Sequence, residues 1–165
     1  MHMVERGGKQ KVRVPRCLQR NPRLWRGGCR ACPAVALRVL ARNTFYSAQE
    51  LNKLHRKPIE VICYHCAQSA EKYLKAFLVF HGVVPEKIHK LIILNENCIK
   101  IFNDFNNIYK ECDLLSKYAN EVRYPHSMKI EEEDIARAIT AAERIRDFEP
   151  IRSLIDMIEK ESKPK

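Results

Sequence analysis

Seven cysteines, six histidines and a run of paired charges are the side chains of this 165-residue chain with chemistry to offer. Cys29/Cys32 and Cys63/Cys66 have the CxxC spacing of half a zinc ribbon, because two thiolates three residues apart can reach one tetrahedral ion. Cys63 and Cys66, however, sit inside a helical pattern that puts them on one face beside aliphatic residues. There a thiol packs as a small hydrophobe, and that is the expected role. No carboxylate stands at ligand spacing from His65 or His89, so no metal is expected. With Cys17, Cys98 and Cys112 the cysteine count is odd and no secretory leader is seen, which points to reduced thiols in a cytoplasmic compartment.

The charged residues allow two readings. Glu71 and Lys75 are four apart, the spacing of a helix-surface ion pair worth about 0.3–0.5 kcal/mol. Lys72 and Lys75 would otherwise form a basic lip for phosphates. His65 and His89 are placed to hydrogen-bond between helices, and Gln68 either bridges helices or lines a dimer seam. Arg123 falls at a helix C-terminus, where the dipole favours a cation. His126 follows in a polar loop, with a side chain that titrates near neutrality and so suits proton transfer.

The elements that must position these groups are helices. Val35, Leu37, Val39, Leu40, Phe45, Ala48 and Leu51 mark a first helix that begins near Pro33 and should stop near Lys57, since Pro58 disfavours a helical predecessor. A second runs from Pro58 to about His81 along Ile59, Ile62, Cys63, Cys66, Ala70, Tyr73, Leu74, Phe77 and Phe80, and Gly82 ends it. A short helix carries Ile88, Leu91, Ile92, Leu94 and Ile99, after which five asparagines loosen the chain. Another spans about 108–122, and Pro125 closes it. The last opens with Glu131, Glu132, Glu133 and Asp134 against the positive end of its dipole. It runs through Ile135, Ala138, Ile139, Ala142, Ile145 and Phe148 to Ile158, and Pro150 should kink or split it. The expected fold is an all-α, up-and-down bundle of four long helices plus a short helix, over residues 33–162. No apolar run approaches the roughly 20 residues of a membrane span, and no membrane is expected.

Charge is concentrated at one end. Of the formal +10, residues 1–30 carry +8, with nine Lys/Arg against Glu5. Four of the five glycines lie there too, and the segment shows neither helical nor alternating pattern. Residues 1–32 are therefore expected to be a disordered basic extension. Such an arm attracts phosphates without regard to sequence; a transit peptide or a role-less upstream stretch are the other readings. Trp25 between Arg23 and Arg26 is too little for a stacking platform.

Four landmarks in order carry a family resemblance. Cys63-Tyr64-His65-Cys66-Ala67-Gln68-Ser69-Ala70-Glu71-Lys72-Tyr73-Leu74-Lys75-Ala76 resembles the signature second helix of HEPN domains: an aromatic-His pair, a Gln, then Glu-Lys and Leu-Lys-Ala. Lys87-Ile88-His89-Lys90-Leu91 resembles the family's basic-x-His-x-Leu turn. Arg123-Tyr124-Pro125 resembles its Arg-Tyr-Pro element, and the acidic start of an Ala/Ile-striped final helix completes the set. The likeness covers roughly residues 34–160.

The resemblance implies a helical bundle that forms a homodimer, pairs with a minimal nucleotidyltransferase as a toxin–antitoxin-like module, and binds nucleotide or RNA. On this reading Lys72, Lys75, Tyr124 and His89 contact nucleotide or RNA, while His65, Gln68, Glu71 and Pro125 belong to the structural signature. No cofactor is implied. Active relatives are metal-independent endoribonucleases with Arg, four to six residues, then His. The His shuttles a proton as a ribose 2′-hydroxyl attacks the adjacent phosphate, and the Arg neutralises the phosphoryl oxygens. Here Arg123 and His126 are separated by two residues, shorter than that motif, and Tyr124 precedes the His. An endoribonuclease using Arg123 and His126 is the alternative to a binding partner, and a non-catalytic helical scaffold is a second alternative.

Overall fold

A computed structural model describes residues 3–4, 12–13, 31–85, 87–121 and 129–162, with side chains over 33–85, 87–119 and 129–158. Six α-helices account for nearly all of it: α1 (Ala31–Asn52), α2 (Ile59–Phe80), α3 (Leu91–Ile101), α4 (Tyr109–Glu121), α5 (Glu132–Arg146) and α6 (Glu149–Ser162). A 3-10 segment, Asn103–Ile108, joins α3 to α4. Met3–Val4 (β1) and Val12–Arg13 (β2) make one short antiparallel pairing, Met3 opposite Arg13, and form no layer of the fold. The architecture is an all-α bundle.

The central strut is α2, about 33 Å long at 1.5 Å per residue. It packs against α1, α3, α4 and α5. Of the expected stripe, Ile62, Cys63, Cys66, Ala70, Tyr73, Leu74, Phe77 and Phe80 are buried in the core, and Ile59 packs half-buried against it. The Ser69 hydroxyl on α2 donates to the Ala41 carbonyl at 2.8 Å, fixing α1 alongside without leaving a buried hydroxyl orphaned. Gly82 takes φ 80°, a left-handed conformation that a β-carbon would penalise, and so lets the chain leave α2. Toward the end of α2, the Phe77 and Phe105 rings pack at a tilt with centroids 4.5 Å apart, and Phe148 meets Phe105 edge-on at 5.0 Å.

Three expectations need correction. The first helix ends at Asn52, not near Lys57, because the Lys53 and Leu54 amides already bond three residues back, to Glu50 and Leu51, and tighten the final turn. Leu40, expected in the core, is 51% exposed, since the buried face of α1 centres on Ala34, Ala41, Phe45 and Ala48. Ile88, expected on the short helix, precedes it, because the extended backbone of Lys90 starts α3 only at Leu91. The final helix divides as expected: α5 stops at Arg146, and Pro150 sits in the first turn of α6, where its missing amide costs nothing.

Cys63, Cys66, Cys98 and Cys112 are free thiols with no exposed surface. Burial pushes Cys63, Cys66 and Cys112 up to about 12. No cluster of three or more metal-ligating groups occurs among the described residues. No helix there is long and apolar enough to cross a membrane.

Candidate functional site

Six of the singled-out residues meet on one polar stripe of α2 and the turn before α3. His65, Gln68, Lys72 and Lys75 recur at steps of three and four, so they share a helix face. Glu71 lies at its edge and His89 arrives from the turn. The Glu71 carboxylate is the organising group. Its Oε1 accepts from Lys75 Nζ at 2.6 Å and from His89 Nδ1 at 3.1 Å, while Oε2 accepts from Gln68 Nε2 at 3.4 Å.

This pair is not the surface ion pair expected. Glu71 is buried, at 5% exposure, and the Lys75 side chain is only 14% exposed, so less water screens their attraction. The His89 side chain is half exposed. It makes the bond between elements anticipated for it, tying the pre-α3 turn to α2. His65 does not: its Nδ1 is buried without a hydrogen-bond partner among the described residues. Burial, with Lys72 nearby, holds the His65 ring below its ordinary value of 6.5, hence neutral.

Lys72 differs from its neighbour. Its ammonium donates to the backbone carbonyl of Gln68 at 3.2 Å and to Gln68 Oε1 at 3.1 Å. It makes no ion pair with a carboxylate among the described residues, although Glu71 is near enough to be felt. Burial, its largest influence, pushes the Lys72 ammonium below its usual range. Gln68 thus works along α2, accepting from Lys72 and donating to Glu71, and makes no hydrogen bond to another helix among the described residues.

Arg123, Tyr124, Pro125 and His126 lie outside the described residues. The helices that precede and follow them in sequence, α4 and α5, are tied together. Tyr118 on α4 donates its hydroxyl to Asp134 Oδ1 at 3.0 Å, and Lys57 reaches Glu132 at 2.9 Å, so the flanks meet beside the start of α2. Burial, reinforced by Asp134, pushes the Tyr118 phenol well up.

Sequence reasoning passed over a second polar constellation. The charges of Arg38 and Arg42 on α1 and of Arg146 at the end of α5 all act on Tyr73. Its only local signal is the placement of Arg38, Arg42 and Phe45 on one flank of α1.

The fold and the α2 stripe define a helical bundle built on a central helix with a buried carboxylate–lysine–histidine knot. The family model of the HEPN domain matches residues 37–153, and the chain belongs to that family. Among solved structures, the crystal structure of TT1696 from Thermus thermophilus shares the fold with a TM-score of 0.54 at 20% identity, over 78% of this chain and 97% of that chain. No curated protein matches the chain.

Proposed function

We propose that this chain binds RNA or nucleotide through its phosphates along the α2 stripe, as a HEPN-family homodimer that partners a minimal nucleotidyltransferase. The observation that carries the reading is Lys72. A half-buried ammonium that has only neutral oxygens for hydrogen-bond partners retains most of its charge for an incoming anion. Lys75 and His89 stand beside it, held in place by Glu71, so these hydrogen-bonding groups are already oriented before ligand arrives. Tyr124, by resemblance, adds an aromatic contact from the turn after α4.

Fluorescence anisotropy with labelled single-stranded RNA and with ATP tests this. Lys72→Gln should weaken binding roughly tenfold or more, the scale of one charge-assisted hydrogen bond, while Lys72→Arg retains most of it. Equal affinity for Lys72→Gln and the parent protein would overturn the reading. Sedimentation at working concentration should return twice the 19.3 kDa protomer mass.

A second reading is a metal-independent endoribonuclease using Arg123 and His126, which lie between α4 and α5 in sequence and resemble a shortened form of the family's motif. His126 would take and return the proton of the 2′-hydroxyl, and Arg123 would balance the phosphoryl charge. Cleavage of single-stranded RNA in the presence of chelator, lost in His126→Ala, supports it. An intact RNA after incubation with folded dimer rejects it.

A further inference from the structure

A different face of the molecule carries its own charge pattern. Arg38, Arg42 and Phe45 lie at i, i+4 and i+7 on α1, so they share one flank. The Arg146 guanidinium lies over the Phe45 ring, 5.1 Å from its centroid. Asp147 fixes its orientation, accepting from Nε at 2.9 Å and from Nη2 at 2.7 Å. Tyr73, buried beneath, feels Arg146, Arg38 and Arg42 together. Its direction from α2 is about 100° away from that of Lys72, so this corner is distinct from the stripe.

Two features make the corner more than a structural cluster. Arg42 is exposed and has no ion pair with a carboxylate among the described residues. Tyr46, one turn further along α1, is 61% exposed. An unpaired guanidinium one turn from an open aromatic ring is the combination that holds single-stranded nucleic acid, since guanidinium grips phosphate and every base has a face to stack. Lipid headgroups offer the same phosphate chemistry, and vesicles in the test below separate them from RNA.

We propose that Arg42, Tyr46 and Arg146 form a second RNA contact on the α1–α5 corner. Arg38 reinforces its field. The phosphodiester backbone meets Arg42 and Arg146, and a base stacks on Tyr46. The proposal shares its ligand class with the α2 reading but none of its residues.

The full chain, titrated with fluorescein-labelled oligouridylate across a salt series, separates the two. Arg42 and Tyr46 are both exposed, so Arg42→Gln and Tyr46→Ala should keep the parent circular dichroism and melting temperature. Arg42→Gln should reduce the slope of log affinity against log salt by about 0.7, the value for one phosphate contact on a single strand. Tyr46→Ala should weaken binding about fivefold or more and leave that slope unchanged. Affinity and slope at parent values in both variants would overturn the proposal. Loss in Lys72→Gln alone rejects the corner and keeps the α2 reading; loss in Arg42→Gln and Tyr46→Ala alone does the reverse. Binding to phosphatidylserine vesicles with the same dependence on Arg42, and none to RNA, would also overturn it, as would an absence of RNA binding by the parent chain.

Discussion

Glu71 gathers Lys75, His89 and Gln68 around a carboxylate with almost no exposed surface. Removing the anion from such a knot leaves the Lys75 ammonium largely buried with nothing to balance it, which costs more than the pair itself contributes. Glu71→Gln preserves shape and the bond to Gln68, but it takes away the charge. It should lower unfolding free energy by roughly 1.5–3 kcal/mol, read as a drop in urea midpoint at unchanged slope. A shift under about 0.5 kcal/mol would mean that Lys75 swings out to solvent and the knot contributes little. The buried thiols make a second residue-scale prediction. Cys63, Cys66 and Cys112, pushed to about 12 by burial, hold almost no thiolate at neutral pH. Alkylation followed by peptide mass mapping should leave them unmodified in native protein and modify them on unfolding.

At the scale of elements, periodicity made the helices legible and local capping chemistry decided where they end. The stripe of α2 was readable because every third or fourth residue is apolar and Gly82 terminates it. The early end of α1 was not, because the hydrogen bonds that tighten its last turn leave no mark on the apolar pattern. At α5, Asp134 is a hinge of contacts: the Glu131 amide donates to its Oδ2 at 2.9 Å and the Tyr118 hydroxyl to its Oδ1. The first bond caps α5 and the second ties α5 to α4 across the segment containing Arg123 and His126. Asp134→Ala removes both and should cost about 1–2 kcal/mol. Tyr118→Phe removes only the second and should cost about half as much. Equal losses would place the whole effect in the α4–α5 link.

At the scale of the molecule, the α2 stripe was legible because its residues are local in sequence, whereas the Arg42–Tyr46–Arg146 corner joins the first helix of the bundle to the fifth. Sequence spacing cannot report a contact made only by packing. The same holds for histidine titration, since burial follows from the assembled bundle. His81 ends α2 against Phe77 and Phe80, with ring centroids at 4.2 and 5.4 Å, and its Nδ1–H donates to the Phe77 carbonyl at 2.8 Å. Burial holds it below 6.5, and the same is true of His65. Both rings are therefore neutral in the folded chain, while the unfolded chain protonates them near 6.5. Below that pH the unfolded state binds more protons, and stability falls with acidification until the folded rings protonate too. The expected profile is flat above about pH 7 and declines as pH drops through roughly 6.5, well before the carboxylates titrate. Asp147, held below its ordinary 3.8 by Arg146, contributes its own loss only at lower pH. Urea midpoints from about pH 5 to 8 should show that early decline, and His81→Asn, which keeps a donor at the end of α2, should shallow it. A profile unchanged in His81→Asn would assign the early decline to His65, whose buried Nδ1 has no partner among the described residues to offset protonation.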